Sequence, residues 1–284
     1  MVNPGDRLTL VRPGGLGDSL LLAPALSILR KQSSFRISLV GYPTRLEPLV
    51  ASGLAEGAIH IDTWLNRHPD PSQIHSFIDL PEGLRTAPGV AIHPPFPDSQ
   101  SGKPVAIYLG ECLGAAIPTL KTSPLKNLLR TDSDQSLTIW IHPGAGAISK
   151  RWPLENFLSL ADQIKMRMGR EVQFLLGDAE LDLMKPLEAN GHSVMAKEKV
   201  LDLTAEWVEG DGFVGNDSGV AHLAGLCGLN TVVIFGETDP LLWRPCGESV
   251  QILKNAARGK WPTIEEVLQA IAELMVGEVE TKSQ

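Results

Sequence analysis

Three times along this chain a short apolar run gives way to a glycine-containing turn, which opens into a stretch with apolar residues at helical spacing. Arg7-Leu-Thr-Leu-Val-Arg12 leads through Pro-Gly-Gly into Asp18 to Lys31. Leu137 to His142 leads through a second glycine turn into Pro153 to Met168, and Gly212 to Gly215 leads into Ser218 to Cys227. Each reads as strand, loop and helix. Further strands are expected at Phe35 to Gly41, Ala58 to Asp62, Ser76 to Leu80, Val90 to His93, Val105 to Tyr108, Glu171 to Leu176 and Thr231 to Phe235. Helices are expected at Pro43 to Ser52, Ala179 to Asn190 and about Thr263 to Val276. Short strands alternating with helices mean a parallel α/β sheet.

A chain of 284 residues allows two domains at about 150 residues each. From Pro118 to Gln135 the sequence turns polar, with Pro118, Lys121, Pro124, Lys126 and an Asp132-Ser-Asp-Gln135 stretch, as a surface connection would. The expected boundary lies there, giving domains 1–130 and 131–284. No short-period repeat is present, so a solenoid is not expected. The expected fold class is α/β, two Rossmann-like domains facing each other across a cleft. In such sheets ligands bind outside the carboxyl ends of the strands.

Composition narrows the function. The 25 basic and 33 acidic residues leave a net charge of −8, which disfavours a nucleic-acid partner because phosphate neutralisation needs a positive surface. Residues 1–130 hold 12 basic and 10 acidic side chains and the remainder 13 and 23, so an anionic partner is met more easily by the first half. The apolar run Leu20 to Leu26 includes Pro24, and a membrane span needs about 20 residues. The start, Met1-Val-Asn-Pro-Gly-Asp-Arg7, has no basic region followed by an apolar core, so the expectation is a cytoplasmic protein. Cys112, Cys227 and Cys246 are widely spaced and odd in number, and are read as reduced packing residues.

Four turns after strands could carry chemistry. In Arg12-Pro-Gly-Gly-Leu-Gly-Asp18 the spacing of Gly14, Gly15 and Gly17 fits neither a dinucleotide fingerprint nor a P-loop. Asp18 either accepts a proton from a substrate hydroxyl or caps the helix, with the glycines making only a tight turn. In His142-Pro-Gly-Ala-Gly-Ala-Ile-Ser-Lys-Arg151, Gly144 and Gly146 let backbone approach a ligand. Lys150 either neutralises a departing diphosphate or forms a solvated pair with Arg151 over Trp152. In Gly215-Asn-Asp-Ser-Gly-Val220, amide groups of Ser218, Gly219 and Val220 would point at an anion from the helix start. Asp217 is a ligand contact or an ordinary cap there, and His222, one turn on, faces the ligand or packs beneath the loop. The fourth turn is Phe235-Gly-Glu-Thr-Asp-Pro240. Glu180 either binds ribose hydroxyls or is an exposed helix acid. His60, His68, His75, His93 and His192 are read as ordinary residues. No metal site is expected, since H-E-x-x-H and C-x-x-C are absent, and G-x-S-x-G is absent too.

Together these segments resemble glycosyltransferase family 9, the ADP-heptose:lipopolysaccharide heptosyltransferases and their relatives. The residues that carry the likeness are Gly17-Asp-Ser-Leu-Leu-Leu-Ala-Pro-Ala-Leu26, His142-Pro-Gly-Ala-Gly146 with Lys150-Arg-Trp-Pro153, Val214-Gly-Asn-Asp-Ser-Gly219 with His222, and Phe235-Gly-Glu-Thr-Asp-Pro240. The resemblance implies a GT-B architecture, with the acceptor bound by the first domain and the nucleotide-sugar donor by the second. It implies inverting, metal-independent transfer of heptose from ADP-heptose to a lipopolysaccharide core or other surface glycan, with no cofactor. Asp18 matches the family's base, within the loop of Gly15 and Gly17. Lys150 matches its diphosphate-binding lysine beside Gly144 and Ala145, Asp217 to Val220 its phosphate-contacting helix start, Glu180 its ribose-binding acid and Leu201 its backbone contact to adenine. A lipid-linked acceptor would bring the enzyme to the inner membrane face. Residues 42–135 match only loosely, and Glu237 stands where a proline is common. Gly-Gly-Leu-Gly-Asp18 also resembles the ADP-glucose loop of bacterial glycogen synthases. Another GT-B transferase, using ADP-glucose or a UDP-sugar, is therefore one alternative. A nucleotide-sugar-binding protein without transfer is the other.

Overall fold

The structure is a computed structural model that describes residues 7–32, 35–67, 73–131, 136–257 and 260–281, with 277–281 as helix backbone alone. His68, the Asp132 to Gln135 stretch and the residues ahead of Arg7 lie outside the described residues. The chain divides into two compact units, Met1–Leu120 and Lys121–Gln284. The division falls ten residues before the boundary expected from polarity. Residues after Lys121 are bonded into the second unit: Leu125 N donates to Leu226 O at 3.0 Å, and Arg130 N to Trp207 O at 2.9 Å. Leu125, fully buried, shows why a polar-looking connection is in fact part of a core.

The first unit runs β1 (Arg7–Val11), α1 (Leu16–Leu20), α2 (Ala23–Gln32), β2 (Arg36–Gly41), α3 (Pro43–Ala51), β3 (Gly57–His60), α4 (Ile61–Leu65), β4 (Ile74–Ser76), α5 (Glu82–Arg85), β5 (Val90–Ile92) and α6 (Val105–Cys112). Its five strands are parallel, in the order β3-β2-β1-β4-β5. Three expectations are corrected here. The helix expected from Asp18 to Lys31 is two helices, because Pro24 has no N–H to donate and the first helix stops at Leu20. The strand expected at Ser76 to Leu80 is displaced to Ile74–Ser76, after which the Ser76 hydroxyl donates to Ile78 O at 2.8 Å and turns the chain. Val105 to Tyr108, expected as a strand, opens helix α6, which buries Val105, Ala106, Leu109 and Gly110 at helical spacing.

The second unit runs β6 (Thr138–His142), α7 (Leu154–Met168), β7 (Glu171–Leu176), α8 (Met184–Ala189), β8 (Ser193–Ala196), α9 (Val200–Thr204), β9 (Gly212–Asn216), α10 (Gly219–Cys227), β10 (Asn230–Phe235), α11 (Pro240–Trp243), β11 (Val250–Lys254) and α12 (Ile264–Thr281). All six strands are parallel, in the order β11-β10-β9-β6-β7-β8. This is the doubly wound Rossmann order. Strands β9 and β10 are buried along their whole length, as a parallel sheet covered on both faces requires. Helix α7 turns Phe157, Leu160, Ala161 and Ile164 onto the core and ends at Gly169, whose φ of 62° suits glycine. The helix expected at Ala179 to Asn190 begins instead with a tighter turn, Asp178–Leu183, before α8. Edge strands β8 and β11 are additional to the expected elements.

The far end of this sheet is fixed by a buried acid. Asp211, 1% exposed, accepts from Thr138 N at 2.8 Å, Trp140 Nε1 at 2.8 Å and Val208 N at 3.1 Å. Burial raises its pKa, and the three donors oppose that rise. Asp211→Asn keeps the shape but turns an NH₂ toward N–H donors. It is expected to destabilise the protein by about 2 kcal/mol, read as a lower midpoint in urea with an unchanged slope.

Candidate functional site

In the second unit the strand order reverses between β6 and β9, which lie side by side, so a crevice opens outside their carboxyl ends. Asn216 ends β9 with no exposed surface. Its Nδ2 donates to Pro143 O at 2.8 Å and Gly144 O at 3.3 Å, and its Oδ1 accepts from Trp152 N at 2.9 Å. One amide therefore fastens both ends of the loop after β6 to the strand that carries the next loop.

Between those ends, Ile148–Lys150 forms a tight turn. Lys150 Nζ lies 2.9 Å from Asp217 Oδ2, with the lysine side chain 32% exposed and the carboxylate 6%. Asp217 is thus neither a free surface acid nor the cap of α10. The cap is Ser218, whose hydroxyl accepts from Ala221 N at 3.3 Å. Gly219 and Val220 are half-buried, and the first amides of a helix have no partner within it. His222 is buried, 4% exposed. The fourth turn packs against this loop: a Cβ on Gly236 would stand 2.9 Å from Ser149 O.

Glu180 is not an exposed helix acid. It is buried in the turn after β7, and its Oε2 accepts from Gly177 N at 3.2 Å. Its Oε1 lies 3.8 Å from Arg151 Nη2, which also donates to Ala145 O at 3.2 Å. A Cβ on Gly144 would run into the Glu180 carboxylate, so the glycine is there for close approach. His142 ends β6 with Nδ1 3.1 Å from Leu175 O. A carbonyl only accepts, so Nδ1 carries the proton. Burial pushes the imidazole pKa down, with the Glu180 charge opposing, and the neutral ring keeps an acceptor at Nε2. Beside it opens a cavity of about 160 Å³ lined by His142, the turn from Leu175 to Asp178, Lys197, Glu198, Val200, Leu203 and Val220. Leu201 lies on α9 and is half-buried, and its carbonyl accepts from the Thr204 hydroxyl at 2.8 Å. Its neighbours Val200 and Leu203, not Leu201, line the cavity.

In the first unit the strand order reverses between β1 and β4. Gly15 is the N-cap of α1, and Asp18 is the third residue of the helix, reaching back to accept from Gly15 N at 2.9 Å through Oδ2. The capping and acid readings of Asp18 are therefore compatible, because one carboxylate oxygen does the capping. Among the described residues Oδ1 has no hydrogen bond. Arg45 on α3 holds the same loop, donating to Gly14 O at 2.7 Å. Gly17 is half-buried within α1. Residues that spacing alone did not single out are Asn216, Arg12 behind Asp18, and the pair His75 and His93, whose Nδ1 and Nε2 are 3.0 Å apart. The signal available for Asn216 was an amide at the end of an otherwise apolar run.

Asn216→Asp replaces the donating NH₂ with an oxygen facing two carbonyls and buries a charge. A loss of about 3 kcal/mol is expected, measured by chemical denaturation.

No helix among the described residues is long and apolar enough to cross a membrane. No curated protein matches the chain. Solved structures do, and their likeness is one of fold. A glycosyl transferase family 9 protein from Veillonella parvula DSM 2008 is 18% identical, over 98% of this chain and 99% of that one, with a TM-score of 0.75. Escherichia coli heptosyltransferase WaaC with ADP is 16% identical over 94% and 99%, with a TM-score of 0.71. E. coli ADP-heptose lps heptosyltransferase II is 16% identical over 96% and 99%, with a TM-score of 0.69. The model of glycosyltransferase family 9 (heptosyltransferase) matches residues 115–270, more than half of the chain. The protein belongs to glycosyltransferase family 9 and is a heptosyltransferase-like glycosyltransferase of two α/β units.

Proposed function

We propose that the protein transfers heptose from ADP-heptose to a lipopolysaccharide core or related surface glycan, with inversion at the anomeric carbon and without a metal ion or cofactor. The observation that carries this reading is the Lys150 ammonium, held 2.9 Å from Asp217 beside the open start of α10. A cation and a set of unpaired amides at one helix start are what a diphosphate requires. The donor belongs to the second unit. The apolar cavity beside neutral His142 takes the nucleobase, the Glu180 carboxylate accepts from ribose hydroxyls, and the loop of Gly144 and Ala145 lets backbone approach the phosphates. Lys150 has three donors, so it turns one to the diphosphate while keeping Asp217.

The acceptor belongs to the first unit, where Asp18 is the base. Its free oxygen takes the proton of the acceptor hydroxyl, and the acceptor's own oxygen, freed of that proton, forms the new bond to the anomeric carbon on the face opposite ADP. The bond from that carbon to the β-phosphate oxygen breaks, and the electron pair leaves with ADP. Lys150 and the amides from Ser218 to Val220 meet the charge that gathers there. An acceptor on a lipid would draw the protein to the cytoplasmic face of the inner membrane.

The tests use ADP release from ADP-heptose, with lipopolysaccharide from a heptose-deficient strain as acceptor. ADP-glucose and UDP-sugars are run beside it, and a clear preference for one of them would reassign the donor. Asp18→Ala is expected to lower turnover by at least about a hundredfold, since general-base help is worth about 10²- to 10⁴-fold, with donor affinity little changed in calorimetry. Near-normal turnover would remove Asp18 from the mechanism. Lys150→Ala is expected to weaken ADP binding and turnover together, by about tenfold or more each, because its charge meets the diphosphate in ground and transition states. Unchanged ADP affinity would count against that role.

A further inference from the structure

Arg12 follows β1 and is 4% exposed. Its Nε donates to Asp18 O at 2.9 Å and its Nη1 to Pro95 O at 2.9 Å. The guanidinium carbon lies 5.2 Å from the ring centre of Phe77 and 5.4 Å from that of Phe96, so two aromatic faces hold its plane. Among the described residues Nη2 is buried without a hydrogen-bond partner. A buried cation with an orphan N–H is costly, and an apolar side chain between the two phenylalanines would fold more cheaply. Such a violation of local rules is expected where a residue serves function.

The geometry points to Arg12 as a positioning residue for Asp18, fixing the backbone of the reacting carboxylate to the loop after β5. The inference rests on the reading of Asp18 as the base. The division of labour is visible in the bonds: Gly15 N orients the carboxylate through Oδ2, and Arg12 holds the carbonyl of the same residue. Its fork reaches from the loop after β1 to Pro95, past β4, so the position of Asp18 is referred to a second strand end rather than to its own short helix. Arg12 carries its charge toward Asp18, the largest electrostatic influence opposing the effect of burial on the guanidinium. Without the fork Asp18 keeps its oxygens but loses its fixed distance from the acceptor hydroxyl, and a misplacement of about 1 Å costs about a hundredfold in rate.

A double-mutant cycle tests this, with ADP release from ADP-heptose in the presence of heptose-deficient lipopolysaccharide as the readout. Arg12→Gln is expected to lower kcat about a hundredfold while leaving KM for ADP-heptose and the affinity for ADP unchanged. Arg12→Lys, which keeps the charge and one bond, is expected to recover part of that loss. In an Asp18→Asn background Arg12→Gln should add little, because a residue acting through Asp18 has nothing left to position. Effects that multiply in full, or normal kcat in Arg12→Gln beside an inactive Asp18→Asn, overturn the role of Arg12 and leave the base reading standing. Normal turnover in Asp18→Asn removes the base reading itself. If Arg12→Gln does not fold, Arg12→Lys is carried through the same cycle, where a loss of about tenfold that vanishes in Asp18→Asn supports the inference and a loss that persists overturns it.

Discussion

Asn216 stands at the end of a strand buried on both faces, and its side-chain amide joins Pro143, Gly144 and Trp152 through their backbone. The rest of the crevice in the second unit depends on that junction. Lys150 lies between the two anchored ends of its loop, and Asp217 is the first residue after β9, so the distance between ammonium and carboxylate is set by the bonds that Asn216 makes. A buried amide suits this task because it offers donors and an acceptor with no charge to desolvate. The parallel sheet supplies the other requirement. Only where β6 and β9 run side by side do their following loops meet, and the strand order places them so.

How much of this was legible in the sequence follows from burial. Strands β7, β9 and β10 are covered on their central residues and read as apolar runs flanked by glycine or charge. Edge strand β8 offers only Ser193-Val-Met-Ala196, and β11 alternates Val250 and Ile252 with Gln251, so neither stands out from a loop. Val105 to Tyr108 was ambiguous for the opposite reason, since a short apolar run suits a buried helix as well as a strand. The glycine turns announced where backbone comes close, and Gly144 against Glu180 is one such place. What those turns hold could not be read. Lys150 and Asp217 are 67 residues apart in sequence, and Arg12 and Pro95 are 83 apart. Such pairs exist only once strand adjacency is fixed, and no local pattern encodes them.

The two candidate carboxylates illustrate how position decides chemistry. Asp18 is on the first turn of a short helix, half-exposed, with one oxygen used and one open. Glu180 is buried, bonded to Gly177 N and facing Arg151. The first keeps an oxygen open, as the proposed base requires, and the second has one oxygen bonded and its charge faced by a guanidinium, as the proposed ribose contact requires. Local environment rather than residue type thereby sets the two carboxylates apart.

The ten residues after Lys121 carry a consequence for how such an enzyme can be recombined. Ser123 and Leu125 are bonded to Gly225 and Leu226, at the tail of the helix that Ser218 caps. A chimera that exchanges first units between relatives and cuts in the polar stretch near residue 130 would tear this strap from its own helix. Splicing ahead of Lys121 keeps the tail pinned, so the natural seam for swapping specificities lies at the edge of the second core and not at the most hydrophilic point of the chain.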